Sequence, residues 1–323
     1  MDDGDVVAYI YPAVGTEGYS GAALTIRMNE KKPGYLPPRR RRPEVLDSLQ
    51  ALEALHGGPP DIFDRRDREP TVDVEEEHDA LDYEPCIRVD FGHIPKTRFG
   101  LRAGRSEDAE LRLAPLPAVG FYHFALTFDD NYCLVVRDLG STCGTTVLYG
   151  PRERGRWAKF DWIVGGSGFL KGVSPIIVKV SQFLQFRLVI PRHNVRSKSY
   201  RDKVDRFRGG TADTEHLLDL GDVGLLSRVR TEAPTGMQTP VSQPTAAVTL
   251  RKKIGQGSFA VVYRVWNVST GEQYALKKPG TTSFDAAAWE REAVIMDRID
   301  HVSLCRTSHL RCTAPDTALL TSY

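Results

Sequence analysis

Ile254-Gly255-Gln256-Gly257-Ser258-Phe259-Ala260-Val261-Val262, followed fifteen residues on by Lys277 at the end of Ala275-Leu276-Lys277, decides how the C-terminal part of this chain is read. Glycines at 255 and 257 let a tight strand-turn-strand hairpin bring backbone N–H groups close to an anion, where a Cβ would obstruct. Lys277 then supplies a point charge, so the pattern describes a clamp for nucleotide phosphates. Thr249-Leu250-Arg251-Lys252-Lys253 and Ala260 to Val268 are strand-like around the turn, Ser269-Thr270-Gly271-Glu272 is a second turn, and Glu272 to Lys278 is a third strand. Asp285 to Ile299 carries apolar residues at Val294, Ile295 and Ile299 and a charged opposite face, as expected of one helix packed on that sheet.

Working outward, the Pro/Thr/Ser-rich stretch Thr231 to Thr245 reads as part of a flexible linker over 192–246. Within it Tyr200, Val204 and Phe207 have the spacing of one amphipathic turn that packs back on the domain before it. That domain, 84–191, is built of short apolar-alternating runs between turn signals: CIRVDF, FGLRAG, HFALTF, YCLVVRDL, DWIVGG, PIIVKV and FLQFRLVI. Such spacing predicts an all-β sandwich. Residues 31–83 shift to proline, arginine and acid and read as a largely disordered insertion, with one transient helix from Leu46, Leu49, Leu52 and Leu55. Residues 1–30 hold two short strands of unknown partner, VVAYIYPAV and AALTIRM. Residues 302–323 read as an irregular tail.

A formal net charge of +1 over 323 residues points to neither direct nucleic-acid binding nor an anionic membrane. No stretch offers the roughly 18 consecutive apolar residues of a membrane span, and the opening Met1-Asp2-Asp3-Gly4-Asp5 has no basic leader, so the chain reads as intracellular, cytoplasmic or nuclear. The basic run Arg39 to Arg42 reads as a solvated charge run, with nuclear import as the alternative. Five scattered cysteines give no disulfide framework. Cys305, His309 and Cys312 lack a fourth ligand at workable spacing, so no metal site is assigned.

Gly104-Arg105-Ser106, the loop ending in His123, and Val135 to Thr145 (VVRDLGSTCGT) resemble the forkhead-associated (FHA) domain, over about a third of the chain. The resemblance implies a β-sandwich whose apical loops read phosphothreonine, with Arg105, Ser141 and Thr142 as the phosphopeptide-binding residues and His123 as a structural loop histidine. Two positions depart from the family. Gly120-Phe121-Tyr122-His123 stands where the family has Ser-Arg-x-His, and Cys143 stands where it has asparagine. Both remove donors, so phosphothreonine partners are expected to bind weakly.

From Thr249 to His301 the chain resembles the N-terminal lobe of a Ser/Thr protein kinase. The resemblance implies ATP binding by Ile254, Gly255, Gln256, Gly257, Ser258, Phe259, Ala260, Val262, Ala275 and Lys277, with Glu292 orienting Lys277. Ala260 replaces the family's third glycine with another small residue. After Glu292 nothing resembles His-Arg-Asp with its downstream asparagine, and Asp90-Phe91-Gly92 lies upstream of the glycine loop, in the wrong order for a metal motif. The expected fold is therefore an FHA-like β-sandwich followed by an incomplete kinase lobe over 247–301, a three-stranded antiparallel sheet with one helix. The expected function is that of an FHA-containing Ser/Thr kinase of the checkpoint type, phosphorylating protein substrates when full length. This chain itself would be a catalytically incompetent, truncated form that binds ATP weakly or not at all, with Mg expected only for full-length members. A non-catalytic phosphopeptide adaptor and an inactive gene-model fragment are the alternatives.

Overall fold

In a computed structural model the structure describes residues 3–40, 81–150, 155–211, 247–258 and 260–279, the positions Ala287, Arg291, Val294 and Ile295, and the backbone of 307–311 and 318–322. Leu46, Leu49, Leu52 and Leu55, Phe259 and Glu292 lie outside these residues, as do Cys305 and Cys312.

The fold is mainly β. The strands are β1 (Val6–Pro12), β2 (Tyr35–Leu36), β3 (Cys86–Asp90), β4 (Leu101–Gly104), β5 (Leu111–Arg112), β6 (Phe124–Phe128), β7 (Leu134–Asp138), β8 (Thr146–Tyr149), β9 (Asp161–Ile163), β10 (Ile176–Ser181) and β11 (Leu184–Val189). They form a six-stranded sheet, ordered β2-β3-β1-β11-β10-β8, and a five-stranded sheet, ordered β5-β4-β6-β7-β9. The inward residues of the two sheets, among them Ile10, Leu126, Val136, Trp162, Val178 and Phe186, are nearly or completely buried in one core. Each strand read from an alternating run in 84–191 has a counterpart here, because one face of every strand must meet that core.

Two expectations at the N-terminus change. VVAYIYP does have a partner: β1 pairs antiparallel with both β11 and β3, opposite Val189 and Ile87 respectively, and sits mid-sheet. The sandwich therefore begins before residue 84, and β2 extends it through Tyr35 and Leu36 into the segment read as disordered. AALTIRM is not a strand. It belongs to helix α1 (Tyr19–Met28), which buries Gly21, Ala22, Thr25 and Ile26 while Leu24 stays 44% exposed. Burial at i, i+1, i+4 and i+5 is a helical face, whereas a strand would have buried 22, 24 and 26 together. Gly21 suits this contact, since a Cβ there would lie 2.1 Å from the Phe183 carbonyl oxygen. The Asn29 amide after α1 donates to the Arg112 carbonyl at 2.7 Å and accepts from its N–H at 3.0 Å, tying the helix to the short edge strand β5.

The segment 192–211 is ordered as well. Ser197 caps helix α2 (Lys198–Gly209), accepting from the Tyr200 N–H, and α2 buries Tyr200, Val204 and Phe207 as the sequence spacing indicates. Their targets are Phe91 and Phe128, with ring centroids 5.7 Å (Phe91 to Tyr200) and 5.5 Å (Phe128 to Phe207) apart. Phe91 of Asp90-Phe91-Gly92 is thus a core aromatic.

The C-terminal sheet differs most from expectation. β12 (Thr249–Gln256), β13 (Ala260–Asn267) and β14 (Gln273–Pro279) form the antiparallel hairpins read from the sequence. Two further strands, β15 (Thr307–Arg311) and β16 (Ala318–Ser322), complete a five-stranded sheet ordered β12-β13-β14-β16-β15. Within the stretch read as an irregular tail, 307–311 and 318–322 are strands, so the sheet continues beyond residue 301. The reason is the free edge of β14: its backbone groups need a ladder, and β16 supplies one by pairing opposite Tyr274 to Lys277. Val294 and Ile295, expected to face the sheet, remain 42% and 57% exposed.

This sheet joins the sandwich through the end of the β12–β13 hairpin remote from the glycines. Trp266 is fully buried, stacked on Phe169 at 5.2 Å and edge-on to Tyr149 at 5.9 Å, with Val268 and Leu250 in the same apolar cluster. The Ile163 N–H at the end of β9 donates to the Val268 carbonyl at 2.8 Å.

Candidate functional site

The loops read as a phosphate site lie at one end of the sandwich and are stitched together by their backbones. The Arg105 N–H, just past β4, donates to the Gly120 carbonyl, and the Ser106 N–H to the Phe121 carbonyl, each at 3.1 Å. The His123 N–H donates to the Ala103 carbonyl at 2.8 Å, and the His123 carbonyl accepts from the Leu139 N–H at 3.0 Å. Gly104 permits the closest approach, because a Cβ there would lie 2.1 Å from the Phe121 carbonyl oxygen.

Beneath the loops Asp138, the last residue of β7, is buried and its carboxylate accepts five hydrogen bonds. Oδ1 takes the N–H groups of Gly140, Ser141 and Lys159 at 2.9, 3.0 and 2.9 Å. Oδ2 takes the hydroxyls of Ser141 and Thr145 at 2.6 and 2.7 Å. A carboxylate is an acceptor, so the Ser141 hydroxyl spends its single proton on Asp138. Ser141 is buried and cannot at the same time donate to a phosphate, whereas Arg105 and Thr142 are exposed at the loop tips. Among the described residues Arg105 makes no ion pair, with Asp108 or any other acid. The geometry therefore divides the three sequence candidates: Ser141 belongs to the scaffold, Arg105 and Thr142 face solvent.

His123 is fully buried under these loops. Its Nδ1 accepts from the Gly120 N–H at 3.0 Å, which places the ring proton on Nε2. Burial pushes the ring's pKa below the usual histidine range, against the pull of Asp138 and the Gly144 backbone, while Arg156 adds to the lowering. A second proton would also have to occupy Nδ1 and displace the Gly120 N–H. Burial likewise raises the Cys143 thiol, partly offset by Arg156.

The sequence reading missed Arg156. It precedes Trp157, whose backbone bridges Thr145, and its Cγ would meet a Cβ on Gly144 at 3.0 Å, so a second cation stands beside the 143–144 turn. Lys159 approaches the same loop, its side chain 3.3 Å from the Cβ position of Gly140. Both lie in a turn-rich stretch without alternation and follow two other cations, Arg152 and Arg154, so no signal in the sequence singles them out.

In the C-terminal sheet the register sets Val262 of β13 directly opposite Lys277 of β14, and Ala260 opposite Pro279. Because side chains two apart share a face, Ala260, Val262, Ala275 and Lys277 lie on one face of the sheet. The Gly257 N–H donates to the Ala260 carbonyl at 2.9 Å and closes the hairpin. A Cβ at Gly255 or Gly257 would meet nothing within 4 Å, so open space surrounds the turn, and Ile254, Gln256 and Ser258 are exposed around it. These residues fit a group that needs backbone approach and one cation, as a nucleotide phosphate does.

No family model matches the chain. Among solved structures the chain is similar to the crystal structure of Rad53 1-466 in complex with AMP-PNP, at 15% sequence identity and a TM-score of 0.39, covering 73% of this chain and 50% of that one. No helix among the described residues is long and apolar enough to cross a membrane, and no group of three or more potential metal ligands occurs among them.

The buried neutral ring of His123 has a consequence for pH. Its folded pKa is below the ordinary value of 6.5, so between the two values the unfolded chain binds a proton that the folded chain does not. Stability contributed by His123 is present above about pH 6.5 and declines as the pH falls below it. Urea denaturation at about pH 7.5 and about pH 5.5 is expected to register this loss in the wild type and a smaller one in His123→Gln. An equal loss in both would place the titrating group elsewhere.

Proposed function

We propose that the chain is an FHA-containing relative of Ser/Thr protein kinases whose sandwich reads phosphothreonine and whose C-terminal sheet holds ATP by its phosphates. The observation that carries the first part is the convergence of three loops at one end of the sandwich, with Arg105 and Thr142 exposed over the Asp138 and His123 scaffold. A guanidinium and a hydroxyl above a rigid turn suit a phosphate, because both donate to its oxygens. Affinity is low in this reading. Gly120 and Cys143 supply no side-chain donor of the family's kind, and each charge-assisted hydrogen bond forgone costs about 1.5–3 kcal/mol. Arg156 offsets part of that loss from the other side of the turn.

The second part rests on the shared face of Val262, Ala275 and Lys277 and on the open space at Gly255 and Gly257. In this reading Glu292 would orient Lys277 and Mg would accompany a weakly held nucleotide, with protein substrates belonging to the family as a whole.

Titration of a phosphothreonine peptide library is expected to give weak binding that Arg105→Ala abolishes. The double variant Gly120→Ser, Cys143→Asn should bind about tenfold more tightly, equivalent to about 1.4 kcal/mol. A serine Cβ at 120 would lie 3.3 Å from the Tyr122 carbonyl oxygen, which must yield by a few tenths of an ångström. Tight binding that survives Arg105→Ala would contradict the assignment. For the nucleotide, a fluorescent ATP analogue should bind with an affinity that Lys277→Met lowers by about tenfold. Indifference to that substitution would remove Lys277 from the site.

A further inference from the structure

At the end of the sandwich opposite the apical loops lies a groove of 710 Å³ between the loop 164–174 and the ends of β10 and β11. The opposition follows from β7, whose last residue Asp138 underlies the apical loops while Leu134 at its start exchanges hydrogen bonds with Val164 and Gly165. Val164, Leu170, Ile176 and Ile190 give the groove an apolar floor, and Lys171, Arg187 and Arg192 bring three positive charges to it. Among the described residues no acidic side chain lines it. Lys171 and Arg192 are exposed and make no ion pair among the described residues. The N–H groups of Gly166 and Ser167, in a turn where Gly166 has φ +82°, donate to no acceptor among the described residues.

We propose that this groove docks an acidic peptide segment of a partner protein, with carboxylates on Lys171 and Arg192, an apolar side chain on the floor, and peptide carbonyls on the Gly166 and Ser167 N–H groups. Its volume lies within the range of about 300–1,000 Å³ usual for ligand clefts, and an apolar floor with a few convergent polar groups is their usual lining. Three cations in a concave site are too few and too enclosed for the repeated phosphate contacts by which nucleic acids are held. A membrane surface is equally ill-matched, since the large exposed apolar residues, such as Phe121 and Phe183, do not line the groove and leave it no inserting wedge. Leu170 of the groove is the chain neighbour of Phe169, which stacks on Trp266 of the C-terminal sheet.

The test uses the 323-residue chain and an array of short unphosphorylated peptides rich in glutamate, each with one leucine or phenylalanine, followed by fluorescence anisotropy. The account expects saturable binding by members of the array, weakened at least about tenfold by Lys171→Glu with Arg192→Glu and by raised salt, and unchanged by Arg105→Ala. Both reversed residues are exposed, and near-UV circular dichroism verifies that the variant is folded. Absence of saturable binding across the array, equal binding by the reversed variant, or loss with Arg105→Ala would each overturn the proposal. So would binding to phosphatidylserine-containing vesicles in preference to every peptide.

Discussion

The carboxylate of Asp138 is the point on which the apical end of the sandwich depends. It lies in the core side of the last β7 position, with its own N–H donated to the Phe160 carbonyl at 2.9 Å, and gathers donors from both the 140–145 turn and the 159 turn. A buried carboxylate with unfilled acceptors would cost several kcal/mol, so the five donors are a condition for placing it there. Once they are engaged, the turn has one conformation, Ser141 faces inward and Thr142 faces out. The Gly144 backbone, at φ +69°, is then held so close to Trp157 that a Cβ would lie 2.9 Å from its carbonyl carbon. Rigidity of this kind matters for a weak site, because an ordered loop spends less of its binding energy on becoming ordered.

The second organising contact is Trp266. A buried indole flanked by Phe169 and Tyr149 makes the apolar cluster of the sandwich continuous with Leu250 and Val268 of the C-terminal sheet. Burying an aromatic of this size stabilises by about 2–3 kcal/mol or more. The contact uses the end of the β12–β13 hairpin away from Gly255 and Gly257, so the glycine turn keeps the open space around it. Anchoring at one end and clearance at the other are compatible only because an antiparallel hairpin carries the two at opposite ends of the same strands.

Much of the sandwich was legible in the sequence because CIRVDF alternates as a half-buried strand must, while HFALTF and PIIVKV are short apolar runs between turn signals, as suits the strands they form, which are buried on both faces. Tyr200, Val204 and Phe207 were legible for the same reason at helical period. What escaped notice was set by tertiary partners. The β-branched content of AALTIRM suggests a strand, and only the site beside Phe183 and β5 makes it a helix. TSHLR and ALLTS are too short to display a period, and they become strands because β14 would otherwise offer a bare edge. At the site, Arg105 and Thr142 could be read from motif letters, but the motif does not say that the Ser141 proton is taken by Asp138 or that Arg156 returns to the turn from a later loop.

The claim that Asp138 holds the apical loops is tested most directly by amide hydrogen exchange on the wild type and on Asp138→Ala, which removes both acceptor oxygens. The account predicts that the amides of Gly140, Ser141 and Lys159, all donors to Oδ1, are protected in the wild type and lose that protection in the variant. Amides paired between β10 and β11 should remain protected in both, which separates local loosening from global unfolding. Unchanged protection at Ser141 and Lys159 in a folded Asp138→Ala chain would contradict the account.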